Sequence, residues 1–215
     1  MKFVNLLLAL AVSLLMALLV FEGGLRLIGM GPPKTLNAFD SDRGWANKSD
    51  TTIKRKTVEG FKVTYGFNEH GMRDDADLDP ADPAAARVVA LGDSFTLGLT
   101  VSRDDLFVDL LETWWTAEGR DVEVLNTGTE AYSTDQQVAW LEAHGDEWKP
   151  DVVLIFPYEN DVYWNGQTSY TGLDKPRYSP SGELEAGELE NHLDRGFLGG
   201  TAIGRLVTGG GGGGA

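Results

Sequence analysis

Three polar positions in this sequence combine the residue types that acyl transfer requires. Ser94 supplies a hydroxyl, Gly128 a backbone N–H with no side chain beside it, and Asn160 a side-chain amide. Acyl transfer needs a nucleophilic oxygen and two or three preorganised donors that stabilise the tetrahedral oxyanion. We therefore expect Ser94 to be the nucleophile. Its own N–H, the N–H of Gly128, which a substrate oxygen can approach closely, and the Asn160 amide are the candidate donors.

Each of these residues follows a segment whose pattern predicts a buried parallel strand. Continuous apolar runs occur at 88–91, 122–125 and 152–156, and such runs are typical of strands that are covered on both faces. Helical periodicity between the runs gives two strand–helix–strand units, which predicts an α/β fold with a parallel sheet. In the flavodoxin-like order 2-1-3 the first strand is central, so the three loops converge at the carboxyl ends of the strands.

The same residues resemble a known family, the SGNH hydrolases or GDSL-type esterases. The family's first block is similar to Gly92-Asp93-Ser94 followed by Phe95-Thr96, its second block to Asn126-Thr127-Gly128, and its third block to Asn160-Asp161. The segment 68–74 resembles one that precedes the nucleophile strand in membrane-anchored bacterial members. The resemblance covers roughly residues 65–165. It implies a three-layer α/β/α fold and hydrolysis or transfer of ester-linked acyl groups without a cofactor. It also implies that Ser94 is the nucleophile and that Gly128 and Asn160 bind the oxyanion.

Two departures from the family pattern matter. Tyr158 occupies the position where the third block usually has glycine. The family's general base is a histidine in a late Asp-x-x-His block, and none of His70, His144 and His192 has an aspartate three positions before it. A serine hydroxyl without a base is a poor nucleophile. Because three strands are also few for such a sheet, we expect the sheet to be incomplete at its C-terminal side, with the block that carries the base lying beyond this chain.

The predicted domain organisation has four parts. They are a signal anchor or transmembrane helix at 1–30, a juxtamembrane segment at 31–86, a partial SGNH-like α/β domain at 87–208, and a glycine-rich tail at 209–215. Within the juxtamembrane segment, we expect a linker over 31–50 and a short hairpin over 51–66. A short helix is expected around 198–207.

The N-terminus predicts a membrane anchor. Phe3 to Phe21 is apolar except for Asn5 and Ser13, and 19 helical residues span about 28 Å, close to the ~30 Å hydrocarbon core. Lys2 precedes the helix, so the positive-inside rule favours a cytoplasmic N-terminus and a domain on the extracytoplasmic side. The alternative is a cleaved signal peptide and a secreted domain.

Composition excludes several classes of function. The 215 residues include 18 Lys and Arg against 33 Asp and Glu, for a formal net charge of −15, which argues against nucleic-acid binding. The sequence contains no Cys and three His, so we expect no disulfide, no thiol catalysis, no metal site and no cofactor. The expected partners are an ester- or acetyl-bearing substrate, such as a cell-envelope polysaccharide, and the membrane.

Each candidate residue also has a structural interpretation. Ser94 is a residue type that caps helices, Gly128 is compatible with an ordinary turn, and Asn160-Asp161 is compatible with an Asx turn. At the level of function, the primary expectation is a membrane-anchored extracytoplasmic esterase or carbohydrate O-deacetylase. One alternative is a polysaccharide O-acetyltransferase. The other is a catalytically inactive carbohydrate-binding module or fragment that lacks the base.

Overall fold

The computed structural model of the chain describes residues 2–28, 30–31, 34–57, 60–74, 78–81, 86–193 and 200–207. Contacts divide the chain into two compact units, one formed by Lys34–Leu193 and the other by Met1–Pro33 with Asp194–Ala215. The predicted glycine-rich tail lies outside the described residues, and the domain boundaries drawn from the sequence stay predictions.

The terminal unit is built on one long apolar helix, α1 (Lys2–Leu27). An 18-residue window within it has a mean hydropathy of 2.7 and none of that window is buried. By length and composition α1 is able to cross a membrane. In the same unit, the backbone N–H groups of Ala202 and Ile203 donate to the Glu22 carboxylate at 2.9 Å each. They begin a short helix, Ala202–Val207, within the range where a helix was predicted.

Two antiparallel hairpins open the larger unit. The first joins β1 (Asn37–Asp40) to β2 (Gly44–Asn47), and the second joins β3 (Thr51–Lys56) to β4 (Lys62–Phe67). The second confirms the hairpin predicted at 51–66. The prediction of a linker at 31–50 is wrong, because Trp45 is fully buried and its indole N–H donates to the Glu130 carbonyl at 2.9 Å. The polar sequence of the first turn concealed this long-range contact.

A parallel sheet and the helices that connect its strands form the centre of this unit. Its strands are β5 (Ala86–Gly92), β6 (Val122–Asn126) and β7 (Val152–Phe156), and its helices are α2 (Ser94–Leu97), α3 (Phe107–Ala117) and α4 (Thr134–Trp148). The strand order is β6-β5-β7, with both neighbours parallel to β5. The predicted α/β class and the predicted 2-1-3 order are therefore confirmed.

The sheet is covered by a helix on each face. Val89, Leu91 and Leu125 pack with Trp140 and Trp148 of α4. On the opposite face, the alternate residues Val88, Ala90 and Val124 pack with Leu106, Val108 and Trp115 from α3 and the turn before it. Alternation of side chains along each strand thus distributes one apolar run over two layers of core. The architecture is three-layered, α/β/α, as predicted.

The chain after β7 folds back beside α4 as one short helix and two small hairpins. The helix is α5 (Asp161–Trp164); the strands are β8 (Ser169–Tyr170), β9 (Leu173–Asp174), β10 (Arg177–Tyr178) and β11 (Leu184–Glu185). We refer to residues 165–176 as the strap. Its position depends on a buried ion pair that is described below.

Candidate active site

Ser94 is the first residue of α2, directly after the central strand. Asp93 is the N-cap of this helix and accepts the Phe95 N–H at 2.8 Å. The capping role considered for Ser94 therefore belongs to Asp93. The Ser94 side chain is half-buried, and its hydroxyl has no hydrogen-bond partner among the residues that the structure describes. Its oxygen is accordingly not engaged by another group in the described part of the chain.

Gly128 lies in the loop after β6, and its environment differs from the expectation. Its N–H donates to the Asn126 Oδ1 atom at 3.0 Å and its carbonyl accepts from the Asn47 Nδ2 atom at 2.9 Å. A Cβ at this position would lie 2.3 Å from the Leu97 backbone nitrogen. Glycine is thus required here for close packing against the backbone of α2. The position of a Cβ is occupied by that helix, and the N–H is engaged by Asn126.

A second backbone group in the same loop was missed by the sequence analysis. Ala131 has φ 68°, a left-handed conformation that alanine rarely adopts. Its N–H donates to no residue in the described part of the chain. Unusual backbone conformations concentrate at functional sites. Since alanine carries no sequence signal for a positive φ, only the structure identifies this group.

Asn160 follows β7 and immediately precedes α5. Its side chain is exposed and does not cap the helix, and its amide has no partner within the described ranges. The Asx-turn interpretation is therefore wrong for Asn160. The neighbouring Asp161 holds the loop instead, since its Oδ2 atom accepts from the Thr134 hydroxyl at 2.7 Å and from the Tyr158 N–H at 3.3 Å.

The strand order brings the three candidate loops to one edge of the sheet. Ser94 follows central β5, Gly128 follows β6 on one side of it, and Asn160 follows β7 on the other. Parallel strands place these loops at their common carboxyl ends. The groups that these loops carry are the Ser94 hydroxyl, the Asn160 side-chain amide and the backbone N–H of Ala131, none of which has a hydrogen-bond partner among the described residues.

Two buried carboxylates make this edge electronegative. Burial raises the pKa of Asp93; the Phe95 N–H opposes that shift and the nearby Asp161 carboxylate adds to it. Asp161 is buried, and its Oδ1 atom has no hydrogen-bond partner among the described residues. A negatively charged ligand is therefore disfavoured beside Ser94.

None of the three histidines contacts Ser94 in the described structure. The His70 ring packs on Trp148 with centroids 4.8 Å apart, and the Nε2 atom of His192 lies 3.0 Å from the Asp174 carboxylate. His144 packs on Trp140 at 4.8 Å, which agrees with the packing role favoured from the sequence. His70 and His144 both line a cavity of about 280 Å³ beside the first hairpin, but Ser94 does not line it.

The strap is fixed by a buried ion pair that no local sequence pattern predicts. Lys175 donates to the Asp135 carboxylate and to three backbone carbonyls, those of Trp164 at 3.0 Å, Gln167 at 3.2 Å and Pro176 at 3.0 Å. The side chains of the pair are 0% and 3% exposed. Burial lowers the pKa of Lys175 and raises that of Asp135, while their mutual attraction opposes both shifts. The pair joins the end of α5 and the strap to the N-terminus of α4.

Comparison with known proteins returned three-dimensional neighbours only. No protein-family model matches this chain, and no curated protein matches it. The crystal structure of AlinE4, an SGNH-hydrolase family esterase, is similar at 19% identity over 39% of this chain and 45% of that one, with a TM-score of 0.34. The psychrotrophic esterase EstA from Pseudoalteromonas sp., inhibited by monoethylphosphonate, is similar at 23% identity over 36% of this chain and 43% of that one, with a TM-score of 0.33. The chain thus spans less than half the length of either structure.

Proposed function

We propose that this chain is an ester hydrolase of the SGNH superfamily in which Ser94 is the nucleophile. The observation that carries the proposal is the position of Ser94. An unengaged hydroxyl lies at the carboxyl end of the central strand, and the loops of Gly128 and Asn160 follow the strands on either side. In open α/β sheets this is where ligands bind.

In the proposed reaction the Ser94 Oγ atom attacks the ester carbonyl carbon, and the hydroxyl proton passes to a base. The carbonyl oxygen becomes an oxyanion, which the Ser94 N–H and the Asn160 amide stabilise. Gly128 serves as a third donor only if its N–H leaves Asn126, and the unengaged Ala131 N–H is the alternative third donor. Collapse of the intermediate expels the alcohol and leaves an acyl-serine, which water hydrolyses.

We further propose that α1 anchors the chain and that the catalytic unit lies on the extracytoplasmic side. The length and hydropathy of α1 support the anchor, and Lys2 before it supports the orientation. The chain contains no Cys, so a single cysteine introduced at exposed Ser181 reports the topology. A membrane-impermeant maleimide applied to intact cells should label Ser181→Cys fully; labelling only after lysis would place the unit inside.

The hydrolase proposal is tested by turnover of 4-nitrophenyl acetate. We expect Ser94→Ala to reduce turnover to the rate of the uncatalysed reaction, however slow the wild-type chain is. Ser102→Ala, at an exposed serine that makes no capping hydrogen bond, should leave turnover unchanged. A fluorophosphonate should form a covalent adduct on the peptide that contains Ser94. Turnover that survives in Ser94→Ala, with the adduct elsewhere, would exclude this nucleophile.

One observation favours a second candidate. Because no histidine contacts Ser94 in the described structure, a binding domain without turnover fits the same loops. That candidate predicts ligand binding that Ser94→Ala leaves unchanged, together with no measurable hydrolysis by the wild-type chain. Hydrolysis that is slow in water and fast with an added saccharide acceptor would instead indicate an O-acetyltransferase.

A further inference from the structure

A tight turn in the loop after β6 carries the unengaged Ala131 N–H. The Tyr132 N–H donates to the Thr129 carbonyl at 3.2 Å, which closes a β-turn with Glu130 and Ala131 at its two central positions. Ala131 has a positive φ of 68°, and Glu130 does not have a positive φ. A negative φ followed by a positive φ defines a type II turn, whose second central position favours glycine.

The turn type decides which way the central peptide faces. Type I and type II turns differ by a rotation of about 180° of the peptide between their two central residues. The Glu130 carbonyl and the Ala131 N–H belong to this planar peptide and therefore point in opposite directions. The type II turn places Ala131 in a left-handed conformation, which its Cβ disfavours. The two residues by themselves would thus favour the type I turn, with the peptide reversed.

Trp45 of the first hairpin supplies the contact that opposes this preference. Its indole N–H donates to the Glu130 carbonyl at 2.9 Å. Trp45 is fully buried, and its own carbonyl accepts the Tyr132 hydroxyl at 2.5 Å. Arg55 binds the Glu130 carboxylate at 3.0 Å, so this residue is also held through its side chain. The Glu130 carbonyl is therefore fixed on Trp45, and the Ala131 N–H is directed away from it.

The turn is tied to the loops after β5 and β7. The Thr129 N–H donates to the Gly92 carbonyl at 3.2 Å, and Gly92 lies two residues before Ser94. After the turn, the Thr134 hydroxyl donates to Asp161 at 2.7 Å. The peptide that Trp45 holds thus belongs to a segment attached to both loops that carry the other proposed groups.

We propose that Trp45 is a positioning residue for the oxyanion. By binding the Glu130 carbonyl, it keeps the Ala131 N–H, and not that carbonyl, directed toward a substrate oxygen at Ser94. The inference rests on the proposed function and extends it, because it gives the first hairpin a role in the reaction. A carbonyl at this position would repel the developing negative charge, whereas an N–H that is oriented beforehand stabilises it without reorganisation.

The rate at which a fluorophosphonate modifies Ser94 measures this positioning, because the phosphoryl oxygen takes the place of the oxyanion. Mass spectrometry of the full chain in mild detergent follows the adduct. Trp45→Phe keeps an aromatic ring but removes the indole N–H. Adding Ala131→Gly to that variant restores the preference for a type II turn, because glycine accepts a positive φ. The matched control is Trp148→Phe, since Trp148 is 1% exposed and its indole donates to no residue in the described ranges.

We expect Trp45→Phe to lower the maximal rate of modification about ten- to a hundredfold. The KI of the fluorophosphonate should stay within about twofold, because the lost interaction belongs to the transition state. The double variant Trp45→Phe/Ala131→Gly should regain a rate within about threefold of the wild type. Ala131→Gly alone and Trp148→Phe should react as the wild type does, although Trp148→Phe loses stability through its packing.

Urea denaturation tests the orientation of the peptide without any chemistry at Ser94. Ala131→Gly relieves a left-handed alanine only while Trp45 holds the turn. Its effect on the unfolding equilibrium constant should therefore be about tenfold more favourable in the wild-type background than in the Trp45→Phe background. If the wild type forms no adduct on Ser94, the proposed nucleophile is wrong, and this cycle alone decides whether Trp45 holds the peptide.

Four results would overturn the role of Trp45. Trp45→Phe is modified as fast as the wild type, or the double variant is modified as slowly as Trp45→Phe. Trp148→Phe is slowed as much as Trp45→Phe, which would attribute the loss to packing. Lastly, Ala131→Gly changes stability equally in both backgrounds, which would mean that the turn keeps its type without the indole.

Discussion

Replacing Lys175 by methionine tests the buried ion pair that fixes the strap. The change removes the ammonium group while keeping a long apolar side chain. Asp135 then stays buried without its cationic partner, and the carbonyls of Trp164, Gln167 and Pro176 lose their shared donor. Breaking a buried pair in this way costs about 3–5 kcal/mol. We expect a loss of that size in the free energy of unfolding.

A double-mutant cycle separates the pair from the loss of packing. Asp135 retains the Ser133 hydroxyl at 2.7 Å and the Gln136 N–H at 2.8 Å as donors, so Asp135→Asn keeps an acceptor for them. In the double variant Lys175→Met/Asp135→Asn no uncompensated charge is buried. Its destabilisation should therefore fall short of the sum of the single variants by about 2 kcal/mol or more.

Urea denaturation of all four proteins supplies the free energies. The matched control is the exposed pair Arg177–Glu185, whose atoms lie 3.0 Å apart with side chains 43% and 49% exposed; its own cycle should give at most about 1 kcal/mol. The reasoning is refuted if Lys175→Met costs less than about 1 kcal/mol, or if the Lys175 and Asp135 effects add within about 0.5 kcal/mol.

Three other sites give predictions of different kinds. Gly128→Ala should destabilise the chain by at least about 2 kcal/mol and reduce turnover, because its Cβ meets the backbone of α2. Gly145→Ala inside α4 should instead stabilise the chain by about 0.5–1 kcal/mol. Thermal melts of both glycine variants measure these changes, and a change of the same sign in both would contradict the prediction. Asp161→Ala should lower the free energy of unfolding by about 2–3 kcal/mol and should reduce turnover, because it releases the Asn160 loop. Asp161→Asn still accepts from the Thr134 hydroxyl and should therefore retain most of the stability and most of the turnover. Burial, reinforced by Arg43, lowers the pKa of His144, so the folded chain binds fewer protons than the unfolded chain between that pKa and about 6.5. Stability should fall as the pH drops through this window, and the fall should be smaller in His144→Gln when measured by urea denaturation at several pH values.

The central sheet was predictable because its signal is local. The apolar run at 152–156 coincides with β7, but the prediction that this run is buried was wrong, because Val152 and Ile155 are 45% and 43% exposed. Once the strands are known, short right-handed connections restrict their order. The position of Ser94 at the end of β5 follows from that order, as does the position of Asn160 at the end of β7.

Contacts between distant segments were not predictable in the same way. Trp45 is fully buried, and its indole N–H donates to the carbonyl of Glu130, 85 residues away. Lys175 appears as one charge in a polar stretch, and its partner Asp135 lies 40 residues earlier. Gly128 was predicted as an oxyanion donor, and the structure adds that its missing side chain makes room for the backbone of α2. In each case the decisive partner is remote in the chain, so no local pattern encodes it.

The environment of Ser94 leads to a last prediction, on the proton acceptor for its hydroxyl. No histidine contacts its hydroxyl in the described structure, and a general base contributes about 10²- to 10⁴-fold to such reactions. Turnover of 4-nitrophenyl acetate by this chain should therefore be slow, rise with added imidazole, and show a saturable component. Ser94→Ala measures the hydrolysis by imidazole itself, and subtraction isolates the part that depends on Ser94. An imidazole-independent rate with a bell-shaped pH profile would mean that a base already serves Ser94 in solution, and the search for it would begin with His192 and its partner Asp174.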